Sequence, residues 1–237
     1  MASFRQVEDQ GRFILYDPEH IPQIHADWFN LNFWQDQQAV LGGAPGRGTS
    51  IFLDTPAGEA VWRHYHRGGL PGKLIKDRYF WCNLESSRPW REMHLTQQLY
   101  DLGLPVPKPL AASLKRRGFS YQADLITARL PAALPLADYL TSITEEQQKQ
   151  ALEAAAGVIK RFHQVGLNHT DLNPRNILIN PETLEVWLID FDRCLLLQED
   201  TSQATDNLFR LHRAFTKLDP EQANRWQTWL LKAYQAS

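Results

Sequence analysis

Asp171 and Asn176 stand five positions apart in HTDLNPRNILIN, and Asp190 follows after two apolar runs, in VWLIDFD. A carboxylate beside an acceptor hydroxyl can align it or take its proton. An amide oxygen a few residues later can hold a divalent cation, and a second carboxylate can bridge that cation to phosphate. Phosphoryl transfer sets these three tasks, because the reaction needs positioning and charge neutralisation more than covalent help. Asp171 is therefore the candidate base, and Asn176 and Asp190 are the candidate metal ligands.

The elements that must hold these residues can be read around them. The segment from Thr144 to Gly166 has helical spacing at Leu152, Ala156, Ile159 and His163, a capping box from Thr144 and Gln147, and a glycine stop. It delivers the chain to the Asp/Asn loop. NILIN and VWLID read as two short strands around the PETLE turn. In DPEQANRWQTWLLKAYQ, Asp219 is the N-cap, Pro220 opens the helix, and Ala223, Trp226, Leu230 and Tyr234 share a face. Upstream, residues 40–66 read as a three-stranded meander. RPWREMHLTQQLYDLG is a helix with Leu95, Leu99 and Leu102 in step, and LPVPKPL cannot continue it. AASLKRRGFSYQADLITARL reads as a hairpin with the basic triplet at its tip and Gly118 in the turn. The expected architecture is α+β, with a five-stranded N-terminal lobe carrying one helix (residues 1–131) and a mainly helical C-terminal lobe (132–237), joined at PAALPLA.

Composition narrows the partners. A net charge of −2 makes a nucleic-acid footprint unexpected, so anion affinity must come from local clusters. One is RHYHRGGLPGKLIKDR at 63–78 and the other is KRR at 115–117. Cys82 and Cys194 fit neither a metal spacing nor a disulfide framework, which suits the reducing cytoplasm. The N-terminal residues carry no apolar signal region, and no run approaches the roughly 18 apolar residues of a spanning helix. Neither export nor a transmembrane segment is expected.

With the loop, the hairpin and the second Asp in this order, the chain resembles the protein-kinase-like superfamily: HTDLNPRNILI matches its catalytic loop and IDFD its metal-binding Asp-Phe-Gly motif. The resemblance implies a bilobal fold with ATP and Mg²⁺ as cofactors, Asp171 as base, and Asn176 and Asp190 on the metal. It places the phosphate-covering turn at GGAPGRGTSIFL, with Gly43, Gly46, Arg47 and Gly48, although the glycine spacing is reversed. In AVWR, Arg63 takes the place of the usual phosphate-binding Lys, and Glu92 is the candidate ion-pair partner, with Glu85 as second choice. Thr170 replaces the Arg that reads a phosphorylated activation loop, no Ala-Pro-Glu follows Asp190, and the remaining chain is short for a peptide-binding half. A protein substrate is therefore not expected, and the C-terminal lobe is expected to be truncated.

GGAPGRG, WRHYHRGGL, KDRYFW, REMHLTQQLYDLGLPVPKPLAA and HTDLNPRNILI together resemble the lipopolysaccharide kinases that act on 3-deoxy-D-manno-octulosonic acid (Kdo) or on core heptose. The resemblance implies phosphorylation of the Kdo 4-hydroxyl on lipid A precursor (Kdo-lipid IVA) during lipopolysaccharide core biosynthesis. The setting it implies is peripheral, on the cytoplasmic face of the inner membrane. A carboxylated sugar on a phosphorylated lipid calls for cations, and Arg67, Lys73, Lys76 and Arg78 are the candidates. The aromatic run WFNLNFW (28–34), with KRR, is a candidate for interfacial adsorption. A core heptose kinase and a non-catalytic pseudokinase scaffold are the alternatives.

Overall fold

The computed structural model describes residues 4–44, 50–66, 77–197 and 201–236. The chain divides into two compact units, Met1–Gln98 with Lys108–Arg129 and Leu99–Pro107 with Leu130–Ser237.

The first unit starts with a hairpin of β1 (Arg5–Asp9) and β2 (Arg12–Tyr16). Its turn residues Gln10 and Gly11 both have positive φ, at 48° and 71°, the twist-matched geometry of a two-residue connection. A 3-10 turn (Ala26–Phe29) and α1 (Leu31–Asp36) lead to β3 (Val40–Ala44), β4 (Ser50–Thr55), β5 (Gly58–His64) and β6 (Tyr79–Phe80). Helix α2 (Arg88–Asp101) precedes the long hairpin of β7 (Pro109–Arg117) and β8 (Ser120–Ala128). The strands form one antiparallel sheet in the order β1-β2-β7-β8-β5-β4-β3, with β6 paired to β8 beyond the end of β5. The five expected strands are β3, β4, β5, β7 and β8. The described residues add β1, β2 and β6, making eight.

Strand alternation gives the sheet two apolar faces. Ile14, Trp62 and Ile126 pack on one with Trp28, Phe29 and Trp34, while Leu15, Tyr65 and Leu125 pack on the other with Trp90 and Met93 of α2. The adsorption expected of residues 28–34 is thereby corrected. A wide sheet face has to be covered, and those rings cover it, with Trp34 Nε1 donating to the Trp28 carbonyl at 2.8 Å. At one end of the same face, buried Asp124 accepts from Arg12 Nη1 at 2.8 Å and Trp62 Nε1 at 3.1 Å, and lies 2.7 Å from His64 Nδ1. The Asp124 hydrogen bond holds the His64 imidazole above its usual pKa, against the opposing effect of burial. This pair stabilises the fold below the ordinary His range, and the contribution is lost as pH rises through the raised value.

The second unit contains β9 (Leu134–Pro135), α3 (Leu136–Leu140), α4 (Glu145–Gln164), β10 (Leu167–Asn168), β11 (Ile177–Ile179), β12 (Val186–Leu188), β13 (Leu195–Leu196), α5 (Thr201–Leu218) and α6 (Ala223–Ala236). Gln147 Oε1 accepts from Thr144 N at 3.1 Å at the start of α4. Gly166 ends that helix with φ 78°, where a Cβ would lie 2.0 Å from the Leu197 carbonyl, so no other residue fits. Helix α6 begins three residues later than expected, although Asp219 Oδ1 still caps the preceding turn by accepting from Glu221 N and Gln222 N.

Helices α4 and α6 are tied by Arg225–Glu145 at 2.7 Å, Trp226 Nε1 to Gln148 at 3.1 Å, and His163 Nδ1 with the Tyr234 hydroxyl at 2.8 Å. Burial, with His169 adding to it, lowers the His163 pKa from 6.5 to about 4. The unfolded chain therefore binds the proton more readily. Stability is complete above about pH 6.5 and falls as pH drops toward 4, by an amount on the order of 3 kcal/mol from this residue. Urea unfolding at pH 7 and pH 4.5 should show the loss, and His163→Gln should flatten it. Equal acid limbs in wild type and variant would remove His163 as the cause.

Candidate active site

In the first unit, strand β5 carries Arg63 on the face covered by α2, because Trp62 takes the opposite one. Arg63 Nη2 donates to Glu92 Oε1 at 2.5 Å, the Tyr65 hydroxyl donates to the other Glu92 oxygen, and the Arg63 guanidinium lies 4.7 Å from the Tyr65 ring centre. Glu92 is 3% exposed, so its charge depends on these partners. Glu85, the second choice, is exposed in the turn before α2. At Gly43 on the edge strand β3, a Cβ would sit 2.9 Å from the Ser50 carbonyl, and a bulge at Val40/Gly42 precedes it. Gly46, Arg47 and Gly48 lie outside the described residues, as do Arg67, Lys73 and Lys76. Arg78 is exposed immediately before β6.

In the second unit, Asp171 stands exposed on the turn after β10. Its carbonyl accepts from Asn173 Nδ2 and Asn176 Nδ2, each at 2.9 Å, and the Asn176 amide lies 3.5 Å from Asp171 Oδ2. The five-residue spacing thus closes a loop on itself, with the Asn176 amide nitrogen spent on the backbone, while among the described residues its oxygen accepts no hydrogen bond. Ile189 joins this loop to the second Asp: its N–H donates to the Asn176 carbonyl at 3.0 Å and its carbonyl meets His169 Nε2 at 3.1 Å. Burial pushes His169 below the ordinary His range, so the ring is neutral and serves as a hydrogen-bonding strut.

Asp190 then takes φ 65°, a left-handed conformation that Asp tolerates better than most residues and that marks a constrained position. Buried Phe191 anchors it, stacking on Phe162 at 6.2 Å and tilted against His169 at 5.5 Å. A carboxylate at Asp190 and an amide oxygen at Asn176, held through Ile189, are hard oxygen donors of the kind Mg²⁺ takes. Two contacts escaped the sequence reading. Arg210 Nη1 of α5 reaches the His169 carbonyl at 3.5 Å, and Asn207 Nδ2 reaches Asn168 Oδ1 at 3.1 Å, so α5 braces the loop from about 40 residues away. Only the helical period of α5 could have hinted at this.

The fold is that of the protein-kinase-like class. A solved structure described as WaaP in complex with acyl carrier protein superposes with a TM-score of 0.55 over 98% of this chain and 89% of the other, at 13% identity. A sequence model of the Lipopolysaccharide kinase (Kdo/WaaP) family matches residues 31–234. A 3-deoxy-D-manno-octulosonic acid kinase from Vibrio vulnificus is 41% identical across 94% of this chain and 92% of its own length. One from Haemophilus influenzae is 40% identical over 90% of each. The chain belongs to the lipopolysaccharide kinase (Kdo/WaaP) family and is a kinase, with ATP as the phosphoryl donor that the family implies.

Proposed function

We propose that the protein transfers the γ-phosphoryl group of ATP to the 4-hydroxyl of Kdo on lipid A precursor, working peripherally at the cytoplasmic face of the inner membrane. The observation that carries this reading is the Asp171–Asn176 loop locked through Ile189 to a left-handed Asp190, in a chain 41% identical to a Kdo kinase. Asp171 aligns the acceptor hydroxyl and receives its proton as the new P–O bond forms and the bond from the γ-phosphorus to the bridging oxygen breaks, releasing ADP. Asn176 and Asp190 would hold Mg²⁺, which when bound neutralises the charge of the phosphate oxygens. Arg63, kept in place by Glu92, neutralises phosphate charge from the first unit, and Gly43, Gly46, Arg47 and Gly48 offer backbone N–H groups to the same anion. Arg67, Lys73, Lys76 and Arg78 meet the acceptor's carboxylate and phosphates.

The test is Mg²⁺-ATP-dependent transfer to Kdo-capped lipid A precursor, with the phosphate position read by NMR. Transfer to the 4-hydroxyl supports the assignment, and turnover of a Kdo-free heptose core in its place would overturn it. Asp190→Ala should abolish Mg²⁺-dependent turnover while leaving the circular dichroism spectrum unchanged. Full activity in that variant would remove the metal role.

A further inference from the structure

The end of the first unit's sheet carries an aromatic and cationic surface that phosphoryl transfer does not use. Phe119 in the β7–β8 turn is 83% exposed and Phe80 on β6 is 71% exposed. The two belong to one tip: Phe80 pairs with Ser120, and Trp81 N donates to the Phe119 carbonyl at 2.9 Å. The tip is also braced. Arg116 lies 5.1 Å from the Trp81 ring centre and donates from Nε to the Gly118 carbonyl at 3.0 Å, while Trp81 edges Tyr121. Polar residues ordinarily occupy such turns, and a rigid display of two phenyl rings in water has a cost that calls for an occupant.

Charge says which occupant. Strand alternation puts Lys115 and Arg117 on one face of the hairpin and Arg116 on the other. No carboxylate occurs from residue 115 to 122. Of the nearby acids, Asp77 is engaged by Gln122 and by His64, Asp9, which the register brings beside Lys115 through Arg12, accepts from Ala26 N, and Glu8 and Glu85 are exposed. A protein partner would dock on one face, whereas this tip is cationic on both sides with phenyl rings at its end. A planar layer of anionic headgroups over hydrocarbon matches that shape.

We propose that the β7–β8 tip, with Phe80, Phe119, Lys115 and Arg117, docks the protein on a membrane surface rich in anionic phospholipid. The proposal rests on the reading above that the acceptor is lipid-borne. It also keeps the KRR half of the adsorption expected from sequence while replacing its aromatic half.

The experiment uses the full chain and compares sedimentation with phosphatidylglycerol/phosphatidylethanolamine vesicles against phosphatidylcholine vesicles. Phe80→Ser with Phe119→Ser should weaken vesicle partitioning roughly 10-fold or more. Lys115→Gln with Arg117→Gln should erase the preference for phosphatidylglycerol, as should raised salt. Both double variants should lose activity on vesicle-borne acceptor and keep wild-type rates on the deacylated, water-soluble acceptor. Unchanged vesicle binding, or equal loss on the two acceptors, would overturn the docking role. If wild type phosphorylates neither acceptor yet the variants detach from vesicles, docking stands and the Kdo reading fails.

Discussion

Asp171→Asn should lower kcat for phosphoryl transfer by about 10²–10⁴-fold, the range lost with a positioned general base. The substitution keeps volume and shape. The loop is held through the Asp171 carbonyl, which accepts from Asn173 and Asn176 and survives the change. Because the side chain is exposed, stability should move by no more than about 0.5 kcal/mol. The KM for ATP should hardly change if the carboxylate acts on the acceptor. Steady-state rates on the Kdo acceptor, with thermal unfolding in parallel, separate these quantities. A variant that turns over as fast as wild type removes Asp171 from the chemistry, and one that unfolds early makes the loop structural instead.

The sequence showed most clearly those parts whose partners are close along the chain. Asp171 and Asn176 are bonded across five positions, and Thr144 with Gln147 across three, so spacing alone exposed both. The β7–β8 hairpin was equally legible, with Gly118 at φ 60° in its turn. The β1–β2 hairpin was missed because its turn is Gln-Gly: Gln10 sits at φ 48°, a conformation for which Asn or Asp would have been the usual signal. Trp28, Phe29 and Trp34 are a different case, because their sequence fits core packing at least as well as interfacial adsorption. An aromatic run looks the same whether it faces lipid or a sheet, and only the presence of a broad uncovered face decides. Contacts such as Arg12 with Asp124, 112 positions apart, and Arg210 with the His169 carbonyl, 41 apart, leave no local trace, since Arg12, Asp124 and Arg210 each read alone as an ordinary surface charge and a backbone carbonyl carries no sequence signal.

Arg63→Ala should cost stability as well as activity. Breaking a buried ion pair costs about 3–5 kcal/mol, and the lower end applies because water reaches part of the Arg63 side chain, which is 26% exposed. Glu92, at 2% side-chain exposure, bears the penalty. Arg63→Lys keeps the charge but loses the planar fork that reaches Glu92 while lying over Tyr65, so it should fall between wild type and Ala in both Tm and KM for ATP. The decisive comparison is a double-mutant cycle with Glu92→Gln. If the cost of Arg63→Ala comes from an under-compensated carboxylate, the double variant should be more stable than Arg63→Ala alone, yet its KM for ATP should stay high because the phosphate has still lost its guanidinium. Recovery of both would make Arg63 purely structural. Recovery of neither would mean that the guanidinium supports the fold through Tyr65 and not through the charge of Glu92.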